Sequence, residues 1–412
     1  MYTDGFNLPF VEILYEKIES FLSCSIVLST TDCYDKKRRF LKGSDNMNQR
    51  LDKVMEWLQE QDIDLCFIQS KENVFYFTQF YTDPHERLMG VFLFKEQDPF
   101  FVCPNMEVNQ ARAAGWSFEV IGYSDHENPW DLIASALKQR QVSIRKVAIE
   151  KDVTSYSRAE ELLEMTGHPK IVSAEEKLNQ LRLIKEKHEI KIMREAARLA
   201  DFGVQVGIDA LQTGVTEMEV LATIEYELKK KGIREMSFST MVLFGEKSGD
   251  PHGNPGQRVL KDGDFVLFDL GVVLDGYCSD ITRTVVYKKA TEQQKNIYDT
   301  VLKAQTAALE ASKVGTRIGD LDTVARNIIE DAGFGEHFPH RLGHGLGINV
   351  HEYPSMSFTN DECLKVGMVY TIEPGIYLPN IGGVRIEDDV VITEQGYETL
   401  TKFPKEFTVI NR

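Results

Sequence analysis

The sequence predicts an α+β protein in which an N-terminal α/β domain precedes a larger domain built from a duplicated unit of helices followed by strands. Three observations predict it. Between residues 47 and about 175, apolar runs of strand length alternate with segments of helical period such as MNQRLDKVMEWLQEQ and WDLIASALKQR. Beyond residue 180 the chain repeats itself. ALQTGVTEMEVLATIEYELKKKGI (210 to 233) matches ASKVGTRIGDLDTVARNIIEDAGF (311 to 334) in length, in Gly214 and Gly315, in its apolar helical positions, and in the closing Gly232 and Gly333. The strands KDGDFVLFDLG (261 to 271) and KVGMVYTIEPG (365 to 375) also match, each with lysine, glycine, an apolar run, an acidic residue and a final glycine. That acidic residue is Asp269 in the first half and Glu373 in the second.

Taken in order, the first 46 residues do not resemble the rest of the chain and are expected to be a poorly ordered extension. The segment LKGSDNM can be encoded by a purine-rich stretch of the kind that binds a bacterial ribosome just before the Met47 codon. Met47 is therefore the expected start, with an ordinary extension as the alternative. From Met47 a helix-like segment leads to the strands DLCFIQS, VFYFTQF, VFLF and PFFVCP, and later to the helix WDLIASALKQR and the strand KVAIE. These make an α/β domain over 47 to 175. A charged linker, EEKLNQLRLIKEKHEIK, then opens a long amphipathic helix with Ile190, Met193, Ala197 and Ala200 at helical spacing, and the second domain runs from 180 to 412.

Composition excludes several classes of function. Asp and Glu total 64 against 47 Lys and Arg, a net charge of -17, and the longest basic run is Lys36 to Arg39. The surface that would neutralise phosphates is absent, so nucleic acid and anionic membrane are not expected partners. The most apolar N-terminal stretch, Phe21 to Leu28, is short, broken by serines and a cysteine, and preceded by acidic residues, which is neither a signal peptide nor a membrane span. Six scattered cysteines without CxxC pairs fit a reducing cytoplasm.

The chemistry concentrates in FPHRLGHGLGINVH (338 to 351), which holds His340, His344 and His351 of only nine histidines in the chain. The intervals of four and seven suit a helix, but three glycines with β-branched Ile348 and Val350 argue against one. Carboxylates come from elsewhere. Asp275-Gly276 between β-branched runs signals a two-residue hairpin after Asp269, which would set Asp269 and Asp280 diagonally on one face of adjacent strands. In the second half Glu373 is followed by a longer loop and a return strand that brings Glu387 back, so the pseudo-symmetry delivers four carboxylates to one place. Each of them follows or interrupts an apolar β run, where an unpaired charge is disfavoured. Four carboxylates so close would raise one another's pKa values unless cations sit between them, and two divalent metals relieve that.

FDLGVVLDGYCSDITRT, HRLGHGLGINVHE, TIEPGIY and GVRIEDDV resemble the metallopeptidases of the pita-bread fold, the group of methionine aminopeptidase, aminopeptidase P and prolidase. In the preceding domain YFTQFYTDPHERL, FFVCPNMEV and GYSDHENPWDLI resemble the creatinase/prolidase type, bacterial Xaa-Pro dipeptidases in particular. The resemblance implies a pseudo-two-fold catalytic domain over 180 to 412 that hydrolyses the Xaa-Pro bond of dipeptides. It implies that Asp269 chelates one metal, that Asp280 and Glu387 bridge both, and that His344 and Glu373 complete the other. A single imidazole among carboxylates suits Mn2+, with Co2+, Fe2+ or Zn2+ as other occupants. A hydroxide bridging the metals would be the nucleophile, and Glu373 would carry its proton to the leaving nitrogen. By the same resemblance His351 steadies the substrate carbonyl, His340 helps hold the proline end, and His252 in GDPHGNPG lines the pocket.

Arg385 stands two residues before Glu387, and strand alternation puts it on the metal face, where a guanidinium could clamp the dipeptide carboxylate. Arg341 is a second candidate anchor, against a plain surface arginine. Asp83, His85 and Arg87 of TDPHER match the loop that reaches the partner's active site in prolidase-like homodimers, against a solvated loop. Cys278 shares parity with Asp280 and is expected to pack. Aminopeptidase P, which cuts the same bond in longer peptides, is the alternative within this chemistry. The creatinase branch lacks these acids, and a non-catalytic binding module of this fold would have lost several of them. Mass spectrometry of the native protein is expected to find Met47 as its first residue, and a peptide from upstream of it would end that idea.

Overall fold

The computed structural model describes residues 45 to 412. The expectations for the extension over residues 1 to 46 and for a start at Met47 lie outside the described residues except at Asp45 and Asn46, which open the first helix. Helix α1 (Asp45–Glu60) opens the described chain and buries Met47, Leu51, Val54 and Leu58, one stripe at helical spacing. Next comes a six-stranded sheet: β1 (Leu65–Ile68), β2 (Gly90–Phe94), β3 (Phe100–Pro104), β4 (Glu119–Tyr123), β5 (Lys146–Ile149) and β6 (Lys170–Ser173), in the order β4-β3-β2-β1-β5-β6. It is mixed, with β1 antiparallel to β2 but parallel to β5. Helices α2 (Lys71–Thr78), α3 (Val108–Ala113), α4 (Pro129–Arg140), α5 (Tyr156–Thr166) and α6 (Glu175–Leu183) connect the strands and lead out of the sheet.

The central strands read as unbroken apolar runs because both faces of the sheet are covered. Phe67, Phe92, Phe94, Phe100 and Val147 pack with Ile133, Leu137 and Leu162 on one side. On the other, Cys66, Ile68, Val91, Leu93, Phe101 and Ala148 pack with the α1 stripe. This second core continues past the sheet to Met193, Ala197, Tyr277, Leu346 and Ile348, so the two parts of the chain share apolar packing.

One element differs from its expectation. VFYFTQF is not a strand: residues 71 to 78 are α2, a helix whose last six residues are all buried. Ser70 decides it locally. Its hydroxyl accepts the Asn73 N–H as an N-cap, and Gln79 closes the helix in the left-handed conformation. With apolar neighbours on every side, the aromatic run carries no periodicity that separates helix from strand.

The second part contains α7 (Lys187–Asp209), α8 (Glu217–Lys230), β7 (Glu235–Met236), β8 (Met241–Phe244), β9 (Phe265–Leu270), β10 (Val272–Leu274), β11 (Tyr277–Cys278), β12 (Ile281–Tyr287) and α9 (Glu292–Ala311). It continues with α10 (Ile318–Asp331), β13 (Gly343–Gly345), β14 (Glu352–Met356), β15 (Val369–Ile372), β16 (Gly375–Leu378), β17 (Gly382–Arg385), β18 (Asp388–Thr393), β19 (Gly396–Thr399) and β20 (Val409–Ile410). The repeat is visible in the backbone: α8 matches α10, β9 matches β15, and the paired glycines adopt the same left-handed conformation. Gly214 and Gly315 have φ of 88° and 85°, Gly232 and Gly333 94° and 83°, and Gly263 and Gly367 91° and 88°. The principal sheets are β20-β12-β9-β8 from the first half and β14-β13-β15-β18-β19 from the second.

The Asp275-Gly276 hairpin forms as its sequence predicts, with Leu274 opposite Tyr277 and both turn residues at positive φ. It lies against α2, where a Cβ on Gly276 would come within 2.5 Å of the Phe75 ring. Gly276→Ala is therefore expected to destabilise the protein by about 1–3 kcal/mol. Gly214→Ala, at a similar φ of 88° but with open space around its Cβ, is expected to cost less. Urea unfolding of the two variants measures the difference, and equal midpoints would remove the Phe75 contact as its cause.

Candidate metal centre

The five candidate ligands come from the ends of strands in both halves. Asp269 is the penultimate residue of β9, Asp280 immediately precedes β12, His344 is the middle of β13, Glu373 immediately follows β15, and Glu387 immediately precedes β18. Asp269 pairs with Thr282 across β9 and β12, which puts Asp280 diagonally opposite it. Ligating atoms of Asp280, His344 and Glu387 lie within 4.8 Å of one another, all three side chains buried. Glu373 joins them, its Oε1 3.3 Å from His344 Nε2, and Asp280 Oδ2 is 3.7 Å from the same nitrogen.

Three of these side chains are held from one side by protein hydrogen bonds. Thr282 Oγ1 donates to Glu387 Oε2 at 2.6 Å, and Thr371 Oγ1 donates to Glu373 Oε1 at 3.2 Å. His344 Nδ1 lies 3.1 Å from the carbonyl of Gly345, a contact that makes Nδ1 the protonated nitrogen and leaves the Nε2 lone pair toward the carboxylates. Among the described residues, Asp269 Oδ1, Asp280 Oδ1 and Glu387 Oε1 are buried without a hydrogen-bond partner. Buried, unpartnered anionic oxygens carry a large desolvation cost unless a cation meets them, and this is the donor set a divalent metal requires.

The electrostatics agree. Burial and then the neighbouring acids push Asp280 and Glu387 well above the ordinary carboxylate range, and Glu373, raised chiefly by burial, stands at about 7. Burial lowers His344 to about 3, so it is neutral and ready to ligate.

The remaining candidates divide. His351, exposed on its outer side, meets His344 edge to face with ring centroids 4.2 Å apart, and partial desolvation, Arg341 and His252 lower its pKa. His340 is held between the Arg341 carbonyl, 2.8 Å from Nδ1, and the Tyr377 hydroxyl, 2.9 Å from Nε2. Burial depresses it to about 4. His252 is exposed, close enough to His340 and His351 to disfavour their charged forms. Arg341 bonds Ser355 Oγ at 3.2 Å and stands near enough to lower the pKa values of His351 and Glu373.

Arg385 faces the cluster, and its guanidinium is engaged by protein groups there. It forms an ion pair with Asp269, donates to Tyr377 Oη at 2.8 Å and to Thr282 Oγ1 at 3.0 Å, and is almost fully buried. Tyr377 thus links Arg385 to His340, a role that the sequence alone did not reveal. The signal was in TIEPGIY, where Tyr377 shares strand parity with Glu373.

Asp83, His85 and Arg87 have their bonds within the N-terminal part. Asp83 accepts the His85 N–H at 2.8 Å, Arg87 pairs with Asp125 at 3.0 Å, and His85 is 74% exposed. Cys278 is buried with Sγ 3.3 Å from the Ile348 carbonyl, a packed thiol pushed up to about 12 by burial.

Comparison with known proteins agrees with this geometry. Residues 191–394 match the model of metallopeptidase family M24 and residues 50–184 that of the creatinase/prolidase N-terminal domain. The putative dipeptidase YkvY of Bacillus subtilis is 65% identical over 361 residues, 88% of this chain and 99% of that protein. The chain belongs to metallopeptidase family M24. As a member it is a hydrolase that works with divalent metal ions. Among solved structures, the prolidase from Pyrococcus horikoshii is 36% identical with a TM-score of 0.81, covering 87% of this M24 chain and 100% of its own. The Xaa-Pro dipeptidase from Bacillus anthracis is 34% identical with a TM-score of 0.82, covering 88% and 100%. Among the described residues no helix is long and apolar enough to cross a membrane.

The raised carboxylates make metal binding a proton-releasing event. Unfolded, these acids titrate near about 4, so between that value and their raised folded values the folded, metal-free chain binds the extra protons and loses stability as pH rises. His340 and His344, lowered to about 4 and about 3, run the other way and cost stability as pH falls below about 6.5. Above pH ~6.5 only the carboxylate effect remains. The metal-free protein is expected to show a falling unfolding temperature from pH ~6.5 to ~8, and calorimetric Mn2+ titration at pH ~7 in two buffers should detect proton release. Binding heats independent of the buffer would contradict it.

Proposed function

We propose that the chain is a dinuclear Xaa-Pro dipeptidase that hydrolyses the bond before proline in dipeptides. The observation that carries this reading is the convergence of four carboxylates and the neutral His344 on one buried point, beside a linked Arg385, Tyr377 and His340. The names of its relatives, a putative dipeptidase, a prolidase and an Xaa-Pro dipeptidase, supply the substrate class.

Charge supports two ions rather than one. Four carboxylates against the single guanidinium of Arg385 leave three negative charges; one dication leaves the cluster negative, and two exceed it by the single charge that a bound hydroxide would balance. Asp269, Asp280, His344, Glu373 and Glu387 would hold them, and the oxygen-rich set favours Mn2+ over softer-ligand metals. Two such cations supply the Lewis acidity that polarises the scissile carbonyl and makes hydroxide available near neutral pH.

The chain's own residues then do the rest. Glu373, whose carboxylate stands beside His344 in the cluster, is placed to accept a proton at attack and return it to the leaving proline nitrogen. His351, with its ring against His344, donates to the developing oxyanion. His340, fixed by Tyr377, and His252 border the proline end. Because Arg385 is spent on Asp269 and Tyr377, Arg341 is the cation that takes the dipeptide carboxylate, and the orientation of Asp269 depends on Arg385. The Asp83–Arg87 loop, with His85 exposed at its tip, would reach the site of a second subunit in a homodimer and select substrates there. The free thiols of Cys66, Cys103, Cys278 and Cys363 suit a cytoplasmic enzyme.

The chain stripped with chelator and restored with Mn2+ is expected to cleave Leu-Pro and not Leu-Ala or Leu-Pro-Ala, with Asp280→Ala abolishing turnover. Faster cleavage of Leu-Pro-Ala would move the assignment to aminopeptidase P. Inactivity on all three with metal bound would refute the peptidase reading and favour a binding module.

A further inference from the structure

The segment between β13 and β14 carries His351, and it is gripped from two sides. On one side the β10–β11 hairpin holds it, with Cys278 N–H donating to the Gly347 carbonyl at 2.7 Å. On the other it folds around a buried charge cluster. Glu352 Oε1 accepts the Asn349 N–H at 3.0 Å and an ion pair from Arg182, while Glu352 Oε2 meets Lys185 Nζ at 3.1 Å. There is no room to spare, since a Cβ on Gly347 would come within 2.6 Å of the Glu352 carboxylate.

Arg182 lies near the end of α6, within the last residues matched by the creatinase/prolidase N-terminal domain, and its fork reaches in both directions. One terminal nitrogen donates to Asn349 Oδ1 at 2.9 Å as well as to Glu352, and the other donates to Asn73 Oδ1 at 3.0 Å. Asn73 sits on α2 and passes the chain on, its Nδ2 donating to Glu150 Oε1 at 2.7 Å at the end of β5. An unbroken polar chain, Glu150, Asn73, Arg182, Glu352, therefore runs from the N-terminal sheet to the residue next to His351. Despite burial, Arg182 and Lys185 hold Glu352 at about 2, so the charges persist across the working pH range. A buried ion cluster is a poor source of net stability compared with apolar packing, and its characteristic return is a unique geometry.

We propose that Arg182 is a positioning residue through which the N-terminal domain sets His351: by drawing Asn73, Asn349 and Glu352 to one point it fixes the loop and holds the His351 ring against His344. The inference rests on the proposed dipeptidase function, in which His351 meets the substrate. A displacement of about 1 Å at such a residue costs on the order of 100-fold in rate.

A double-mutant cycle on the Mn2+-restored enzyme tests it. Arg182→Met is expected to lower kcat on Leu-Pro about 10- to 100-fold with KM changed less than about threefold and metal content unchanged. In the His351→Ala background the same substitution is expected to cost less than about threefold, because the residue it positions is gone. Arg182→Lys should recover part of the loss, since an ammonium can pair with Glu352 but cannot span the three acceptors as a fork. Equal losses in both backgrounds, or a loss confined to KM or to metal content, would overturn the proposal. If Arg182→Met fails to fold, Asn73→Ala and Asn349→Ala carry the same cycle, each removing one acceptor. A crystal structure of the variant gives an outcome independent of turnover: an unmoved His351 ring sinks this inference whatever the activity, whereas an inactive wild type with a displaced ring in the variant sinks only the substrate assignment.

Discussion

Much of this structure answers one constraint: carboxylates are gathered in a largely buried place. Like charges in a low-dielectric interior repel strongly, and each acid pays a desolvation cost besides. The fold meets the cost partly from within, through Arg385 on Asp269 and through the hydroxyls of Thr282 and Thr371 on Glu387 and Glu373. It leaves the facing oxygens without partners, which makes the cluster unfavourable as it stands and strongly favourable with cations in it.

The chain shows the same selectivity in three consecutive residues. Glu387 and Asp389 are raised well above the carboxylate range by burial and neighbouring acids. Asp388, pointing the other way between them, is held below it by Arg283 and Lys405, with Gln305 and Thr401 bonding its remaining lone pairs. Two cationic side chains thus meet the acid behind the strand, whereas on the cluster side Arg385 is paired with Asp269 and Glu387 stays raised. Arg283 also donates to the Glu387 and Thr282 carbonyls, so the compensated acid at the back pins the backbone from which the uncompensated one projects.

How much was legible in the sequence depends on the range of the forces involved. The duplicated halves, the Asp275-Gly276 turn and the four acids were readable because repetition, turn chemistry and strand alternation are local rules. The conformation of VFYFT was not, because an aromatic run buried on every side carries no period and one N-cap serine decided it. Arg385 was placed on the correct face by alternation, yet its partner could not be read, since Asp269 lies 116 residues away. Tyr377 and the Arg182–Glu352 pair escaped for the same reason: a tyrosine in a strand and an arginine in a charged linker look ordinary until the tertiary contact is formed.

The long-range contacts also explain why the N-terminal domain is more than an attachment. Its sheet shares a continuous apolar core with the β10–β11 hairpin and the His351 loop, so their positions are not independent of it. Arg50 of α1 stacks over Tyr76 and pairs with Glu189, and Glu189 accepts the Tyr277 hydroxyl at 2.7 Å, which ties that domain to the hairpin leading into Asp280. Arg182 ties it to the loop that leads out of His344. The two polar links reach two different segments, one leading into a carboxylate and one out of a histidine. Non-directional packing alone could tolerate small slides between the layers, whereas forked hydrogen bonds fix both distance and orientation. The catalytic half supplies the chemistry, and the registry of two of its contributing segments depends on residues outside it.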